Sequence, residues 1–217
     1  MPARDHAREG KPEGYQSANQ NKWEFDNSLY QKHLEMYLDH MYTYLKLTRT
    51  TRVLDVGCGE GIVYRALRER GWTGEWTGID ASVEAVEFAR NASPEAKWQQ
   101  GNAFEIPFPD KNFELVFCSQ VMEHLQNPVA ALQECARVAS AWLLLSVPRE
   151  PLFRALTWLS VNLKIGGDPG HVNHWSSAGF RKFVGTVGTL HTWDWTTIYQ
   201  VALVKLDQEP VSASPHG

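Results

Sequence analysis

The sequence of 217 residues lacks the features that mark several large classes of protein. It has only three cysteines, Cys58, Cys118 and Cys135, and no C-x-x-C pair, so neither a disulfide framework nor a zinc site is indicated. No apolar run reaches the roughly 18 residues that a membrane span needs. The first stretch, MPARDHAREGKPEG, lacks the apolar segment of a signal peptide. We therefore expect a cytoplasmic protein.

Basic residues are not concentrated in any segment either. The 21 Lys and Arg are balanced by 25 Asp and Glu, which gives a formal net charge of −4 at pH 7. A nucleic-acid interface normally needs a basic run or face, so polynucleotides are disfavoured as partners. The hydrophobic content of 43% is that of an ordinary globular protein. We expect one domain, as a monomer or a homodimer, with a small molecule as its partner.

The two ends of the chain differ in pattern from its middle. Residues 1–22 are polar and without periodicity, which predicts a mobile arm, and residues 208–217 predict a disordered tail. Residues 23–207 are expected to form the folded domain. It begins with a helix that Asn27 or Ser28 can cap, because apolar residues then recur every three or four positions.

Strand-like and helical segments alternate through most of the domain. The strand-like runs are RVLDVG, EWTGID, AKWQQG, FELVFCS and AWLLLSV. This alternation of apolar strands with helices predicts an α/β fold with a parallel sheet covered on both faces. The last two runs, TLHTWDW and TIYQVALVKL, follow each other closely and predict an antiparallel hairpin at the sheet edge.

A glycine-rich stretch, VLDVGCGEG, closes the first strand. Such a turn between a strand and a helix often cradles a nucleotide, although glycines also make tight turns with no ligand. The spacing of Gly57, Gly59 and Gly61 is one residue shorter than the dinucleotide fingerprint G-x-G-x-x-G. Asp55, at the strand end, would repel a pyrophosphate and favour a cationic ligand. A dehydrogenase is therefore disfavoured.

Further polar residues follow the later strands. Asp80 ends the second strand, where a carboxylate can accept both hydroxyls of a ribose, although it could also cap the helix that begins after Ser82. After the third strand, Asn102 or the backbone beside Phe104 can pair with an adenine edge. The stretch CSQVMEHL follows the fourth strand.

In this order, these motifs resemble those of the class I S-adenosylmethionine-dependent methyltransferases. They resemble in particular the small-molecule group that includes the ubiquinone and menaquinone biosynthesis methyltransferases, and the resemblance is strong over residues 50–148. It implies S-adenosyl-L-methionine as the cofactor. It also implies a Rossmann-like, seven-stranded, mostly parallel sheet of order 3-2-1-4-5-7-6, with the last strand antiparallel and helices on both faces.

The resemblance further implies which residues bind the cofactor. Those residues are Asp55, Gly57 and Gly59 at the methionine part, Asp80 at the ribose, Ala81, Asn102, Ala103 and Phe104 around the adenine, and Ser119 and Gln120 at the sulfonium side. The family often has aspartate where this chain has Asn102. A contact to the adenine amino group at that position would therefore be neutral and weaker.

Three histidines are candidates for a general base. His124 lies just after the fourth strand, and His171 and His174 lie in the glycine-bounded loop GGDPGHVNHWS. Each of them also has a plain structural interpretation, as a packed histidine or a helix cap. A metal is not expected, because His171 and His174 lack a third ligand.

The segment 149–185 is expected to form a lid over the methyl acceptor, with Trp158 and Trp175 at the acceptor site. The sequence thus predicts an enzyme that methylates an oxygen, nitrogen or carbon of a small molecule. A hydroxyl acceptor would need the base, whereas an amine or an activated carbon would not. The alternative is a catalytically silent cofactor-binding module that acts through a protein partner.

Overall fold

The computed structural model describes residues 28–153, 170–196 and 198–207. The helices are α1 (Ser28–Thr48), α2 (Ile62–Glu69), α3 (Val83–Ala92), α4 (Pro128–Val138) and α5 (Ser177–Val184). The strands are β1 (Arg52–Val56), β2 (Glu75–Asp80), β3 (Lys97–Gln100), β4 (Phe113–Ser119), β5 (Ala139–Pro148), β6 (Thr189–Trp195) and β7 (Tyr199–Lys205). A short 3₁₀ turn, Met122–His124, follows β4. The predicted arm, the predicted tail and the central part of the lid, which includes Trp158, lie outside the described residues.

The seven strands form one sheet in the order β3-β2-β1-β4-β5-β7-β6. The pairs among β1 to β5 are parallel, and β7 runs antiparallel to both β5 and β6. The predicted fold class and strand order are therefore confirmed. The carboxyl ends of β1, β2 and β4 meet at one edge of the sheet, and residues that follow those strands are brought together there.

Side-chain caps fix where two of the helices begin. Ser82 accepts a hydrogen bond from the backbone N–H of Ala85 at 3.1 Å, and Asn127 accepts one from Ala130 at 3.2 Å. Pro128 occupies the first turn of α4, where its missing N–H costs nothing. These local signals direct the chain away from the sheet edge and back along its faces.

Apolar cores fill both faces of the sheet. The core on one face joins α1, α2 and α3 to the strands, and the core on the other joins α4 and α5 to them. Strand residues such as Val53, Leu54 and Leu115 are completely buried because helices cover both sides. Each such side chain contributes about 1.5–3 kcal/mol of burial free energy, so the sheet is a rigid base for the residues at its edge.

None of the helices in the described residues combines the length and the apolar character that crossing a membrane requires.

Candidate active site

A cavity of about 310 Å³ lies at the carboxyl edge of the parallel strands. Its volume is in the range of sites that hold small ligands. Its lining residues are Val56, Gly57, Ile79, Asp80, Ala81, Gly101, Asn102, Ala103, Phe104, Gln120, Val121, His124 and Leu125. Seven of the ten predicted cofactor residues are in this lining, together with one predicted base, His124. The other three are not part of the lining: Asp55 and Ser119 are chain neighbours of lining residues, and Gly59 lies two residues after Gly57.

The glycine turn forms the floor of this cavity. The N–H groups of Gly57 and Cys58 both donate to the carbonyl of Ile79, at 2.8 and 3.0 Å, which ties the turn to β2. Gly57 has a φ of +77°, and a Cβ built on it would lie only 2.2 Å from a methyl carbon of Val121. Glycine is therefore required at this position, both for the backbone conformation and for the close approach of Val121.

Asp80 links the glycine turn to the start of α3. One carboxylate oxygen accepts the N–H of Gly59 at 2.8 Å, and the other accepts the N–H of Ser82 at 2.9 Å. Each carboxylate oxygen has a further lone pair, so these bonds leave acceptor capacity toward the cavity. The alternative role as a helix cap belongs to Ser82, whose side chain caps α3.

Asp55 lies under the glycine turn, with only 2% of its surface exposed. Burial, and secondly the neighbouring carboxylate of Asp80, raise the pKa of Asp55 well above its ordinary value. A positively charged ligand beside these two neighbouring carboxyl groups would be attracted by both and would favour the ionised form of Asp55. This arrangement agrees with the predicted preference for a cation over a pyrophosphate.

The opposite wall of the cavity is the loop after β3. The side-chain oxygen of Asn102 accepts the N–H of Phe104 at 2.9 Å, which folds the loop into a tight turn. Arg137 of α4 donates to the carbonyls of Ile106 and Phe108, each at 2.9 Å, and holds the loop against the domain. Phe104 stays 40% exposed, so its ring is available to a ligand in the cavity.

A polar cluster below the turn after β4 was not predicted. The hydroxyl of Tyr37, buried on α1, is hydrogen-bonded to the hydroxyls of Ser119 and Ser146, the latter at 2.7 Å. The amide of Gln120 also donates to the Ser146 hydroxyl, at 3.2 Å. Burial raises the pKa of Tyr37, so its hydroxyl stays protonated. Helix α1 therefore positions the two residues predicted to lie at the sulfonium side.

We expect Tyr37→Phe to reduce the free energy of unfolding by about 1–3 kcal/mol, because it takes this partner from the buried hydroxyl of Ser146 and the half-buried hydroxyl of Ser119. Chemical denaturation monitored by circular dichroism measures the change. Tyr42→Phe, on the same helix, is the matched control and is expected to change stability by less than about 0.5 kcal/mol. Equal stability of the Tyr37 variant and the wild type would show that the cluster contributes nothing to the fold.

The loop before α5 is fastened to the 3₁₀ turn after β4. The N–H groups of Val172 and Asn173 donate to the carbonyl of Glu123, at 2.9 and 3.0 Å. The side-chain amide of Asn173 donates to the carbonyls of Met122 and Leu125, at 3.1 and 2.6 Å. These four bonds bring the predicted lid loop to the cavity that His124 lines.

The two histidines of the loop point in different directions. The His171 ring lies against the His124 ring, with 4.8 Å between the ring centroids. His174 instead pairs with Glu150, with 3.2 Å between Nδ1 and the carboxylate, and its side chain is 40% exposed. Trp175 packs against Phe183, with 5.1 Å between ring centroids. The catalytic roles of the histidines and the acceptor role of Trp175 stay predictions.

A larger cavity of about 710 Å³ lies at the opposite edge of the sheet, where β1 and β2 begin. Ligands of open parallel sheets bind at the carboxyl ends of the strands, and the predicted site residues are not among those that line this second cavity. We therefore place the functional site in the smaller cavity.

Comparison with known proteins gives a match over the part of the chain that lines the smaller cavity. The family model described as "Methyltransferase domain" matches residues 54–141, which run from β1 to the start of β5. Residues 54–141 are therefore similar to a methyltransferase domain.

Individual proteins similar to the methyltransferase domain carry related names. An uncharacterized methyltransferase of Schizosaccharomyces pombe is 36% identical over 110 residues, which are 46% of this chain and 39% of that protein. A ubiquinone biosynthesis O-methyltransferase of Alkalilimnicola ehrlichii is 34% identical over 106 residues, which are 46% of this chain and 42% of that protein. The chain thus spans about two fifths of the length of these relatives.

A solved structure shows the same fold over more of the chain. The magnesium protoporphyrin IX methyltransferase of Synechocystis PCC 6803, with bound SAH, has a TM-score of 0.63 at 18% identity. The match covers 83% of this chain and 88% of that one.

The cofactor that the sequence predicts is S-adenosyl-L-methionine. The residues present fit this group, because the glycine turn forms the floor of the cavity and the Asp80 carboxylate can accept hydroxyl groups. The buried carboxyl group of Asp55, next to the lining, favours a cation. Gly57 and Asp80 would hold the methionine and ribose parts of the cofactor, and Asn102, Ala103 and Phe104 would hold its adenine.

Proposed function

We propose that the protein methylates a small molecule with an apolar or aromatic body. One observation carries this proposal: the cofactor cavity has His124 in its wall, and aromatic rings continue from His124 away from the cofactor residues. A wall of this kind accommodates a flat or apolar acceptor, and an imidazole at its end can take up a proton.

The rings form a connected row. The centroid distances are 4.8 Å from His124 to His171, 5.1 Å from His171 to Phe153, 6.3 Å from Phe153 to Tyr199 and 5.4 Å from Tyr199 to Tyr37. These separations are typical of interacting aromatic pairs. The row begins at the cavity and ends at the buried Tyr37 cluster.

The chemistry that we propose follows from this geometry. S-adenosylmethionine supplies an electrophilic methyl group when bound. The residues of this chain orient the acceptor, and positioning alone can supply effective molarities on the order of 10⁵ M or more. For a hydroxyl acceptor, His124 or His171 takes the proton, whereas an amine or an activated carbon needs no base.

A screen for S-adenosylhomocysteine formation tests the proposal. Hydroxylated aromatics, quinones, sugars and amines are supplied with S-adenosylmethionine, and the product is quantified by mass spectrometry. We expect turnover with an acceptor that has an apolar or aromatic ring. Tight cofactor binding without turnover on any acceptor would favour the alternative, a silent module that acts through a protein partner.

We expect Asp80→Ala to lower the affinity for S-adenosylmethionine by about tenfold or more. The change removes charge-assisted hydrogen bonds to the ribose, each worth roughly 1.5–3 kcal/mol, and releases the N–H of Gly59. Isothermal titration calorimetry measures the affinity.

Glu87→Ala is the matched control, because it removes an exposed carboxylate from α3, the helix that follows Asp80. Its affinity should equal that of the wild type. Unchanged affinity in the Asp80 variant would remove this carboxylate from the cofactor site.

A further inference from the structure

We propose that Glu123, His124 and His171 form a site for a divalent transition-metal ion such as Zn²⁺. The ligand atoms of these three residues all lie within 4.8 Å of one another. Two imidazoles and one carboxylate are a ligand set that binds Zn²⁺, Co²⁺ or Fe²⁺ and leaves coordination positions open. The site itself does not depend on methyl transfer, whereas its role toward the acceptor rests on the proposed function.

The backbone brings the three ligands together from two segments. Glu123 and His124 are neighbours in the 3₁₀ turn after β4, and His171 comes from the loop that the Val172 and Asn173 hydrogen bonds fasten to that turn. His174, which the sequence placed beside His171 as a candidate, pairs with Glu150 instead. The fold thus gives His171 two further ligands, Glu123 and His124, which the sequence did not show.

The distances allow a metal ion to be bound with small side-chain movements. Ligand atoms around a tetrahedral Zn²⁺ lie about 3.3 Å apart, since each bond is close to 2.0–2.2 Å. The largest separation here is no more than 4.8 Å, so it has to close by at most about 1.5 Å. His124 is exposed, so rotation of its side chain can supply this movement while buried Glu123 stays in place.

The ligand set suits some divalent cations better than others. The Glu123 side chain is completely buried, and its carboxylate would add a charged oxygen ligand to the two imidazoles. Soft or borderline metals suit imidazole nitrogen, whereas Mg²⁺ prefers a shell of oxygen ligands. We therefore expect Zn²⁺ and Co²⁺ to bind and Mg²⁺ not to compete.

The site lies where an acceptor would be held. His124 belongs both to the proposed metal site and to the wall of the cofactor cavity. An acceptor with an oxygen donor can occupy an open position on the metal, which would orient that oxygen toward the cofactor cavity. On this proposal the preferred acceptor carries a hydroxyl or carbonyl oxygen next to its apolar body.

Metal binding is tested directly, without turnover. Tag-free wild-type protein is titrated with Zn²⁺ by calorimetry and with Co²⁺ by visible absorption, each in the presence of excess Mg²⁺. We expect one equivalent of Zn²⁺ to bind with a micromolar or tighter Kd, and Co²⁺ to give the absorption bands of a protein-bound ion. Absence of binding up to about 1 mM metal would overturn the proposal.

Variants locate the ion. His171→Ala, His124→Ala and Glu123→Gln should each weaken Zn²⁺ binding by about 10²-fold or more, because each removes or weakens one ligand. His191→Ala, an exposed histidine of β6, is the matched control and should bind Zn²⁺ as the wild type does. Wild-type affinity in all three site variants would mean that the ion binds elsewhere, and the site would be rejected.

Folding and function are followed separately. Thermal unfolding of the metal-free variants shows whether each one folds. If Glu123→Gln fails to fold, His171→Ala still tests the site, because His171 lies in a loop. Metal binding in a protein that methylates no acceptor would reject the proposed function alone. Turnover in a protein that binds no metal would reject the metal site alone.

Discussion

Gly57→Val is expected to abolish measurable binding of S-adenosylmethionine, with a loss of affinity of about 10²-fold or more. A valine at a φ of +77° is strained, and its Cβ alone would overlap a methyl group of Val121 at 2.2 Å. Val121 lines the cofactor cavity, so relief of the overlap has to move either the glycine turn or the turn after β4. Both movements displace the surface against which the cofactor packs. Calorimetry at matched protein concentration gives the affinity.

Gly71→Val is the control that distinguishes the effect of backbone strain from the effect of damage to the cofactor cavity. Gly71 has a φ of +91°, but a Cβ there would meet only the Tyr42 hydroxyl, at 3.6 Å, beside the cavity at the opposite edge of the sheet. This control should lose stability and keep its cofactor affinity. Tight binding by the Gly57 variant would contradict the glycine turn as the floor of the site.

The order of the strands could be predicted because local patterns and the family resemblance agree. Apolar runs such as LLLSV in β5 predict a strand buried on both faces, and β5 is indeed covered by helices on both sides. Ser82 and Asn127 mark helix starts through interactions within four residues, which a sequence shows directly. These signals are local or repeated, and the structure confirms them.

The sequence predicts which residues lie at the cavity when they directly follow a strand. It does not predict contacts between residues that are far apart in the chain. Gly57 and Asp80 follow strands whose ends must converge, so their position at the cavity could be expected. Tyr37 shows in the sequence only as one more apolar position of a helix, and its bond to Ser146 joins residues 109 positions apart. The Asn173 hydrogen bonds to Met122 and Leu125 determine that His171, and not His174, lies against His124. The spacing of residues in the sequence does not predict those bonds.

His171→Ala and His124→Ala are expected to lower turnover of an accepted substrate by about 10²-fold or more while cofactor affinity stays near normal. His171 lies against His124 at the cavity wall, and neither ring belongs to the glycine turn or the Asp80 network. Loss of a general base costs about 10²–10⁴-fold in rate, and loss of a metal ligand at the acceptor has a comparable effect. Steady-state kinetics and calorimetry measure the two quantities, with His191→Ala as the control.

A chelator separates the two ways in which these histidines can act. If His124 or His171 takes a proton from the acceptor, turnover of the wild type is insensitive to chelation, and the rate falls as acid protonates the base. If the two histidines hold a metal ion, chelation lowers turnover and added Zn²⁺ restores it, while the variants respond to neither treatment. Full activity of both variants would instead make the loop a structural cover over the cofactor. Loss of cofactor binding in the variants would place the loop against the methionine part, and the division between cofactor and acceptor residues would then be wrong.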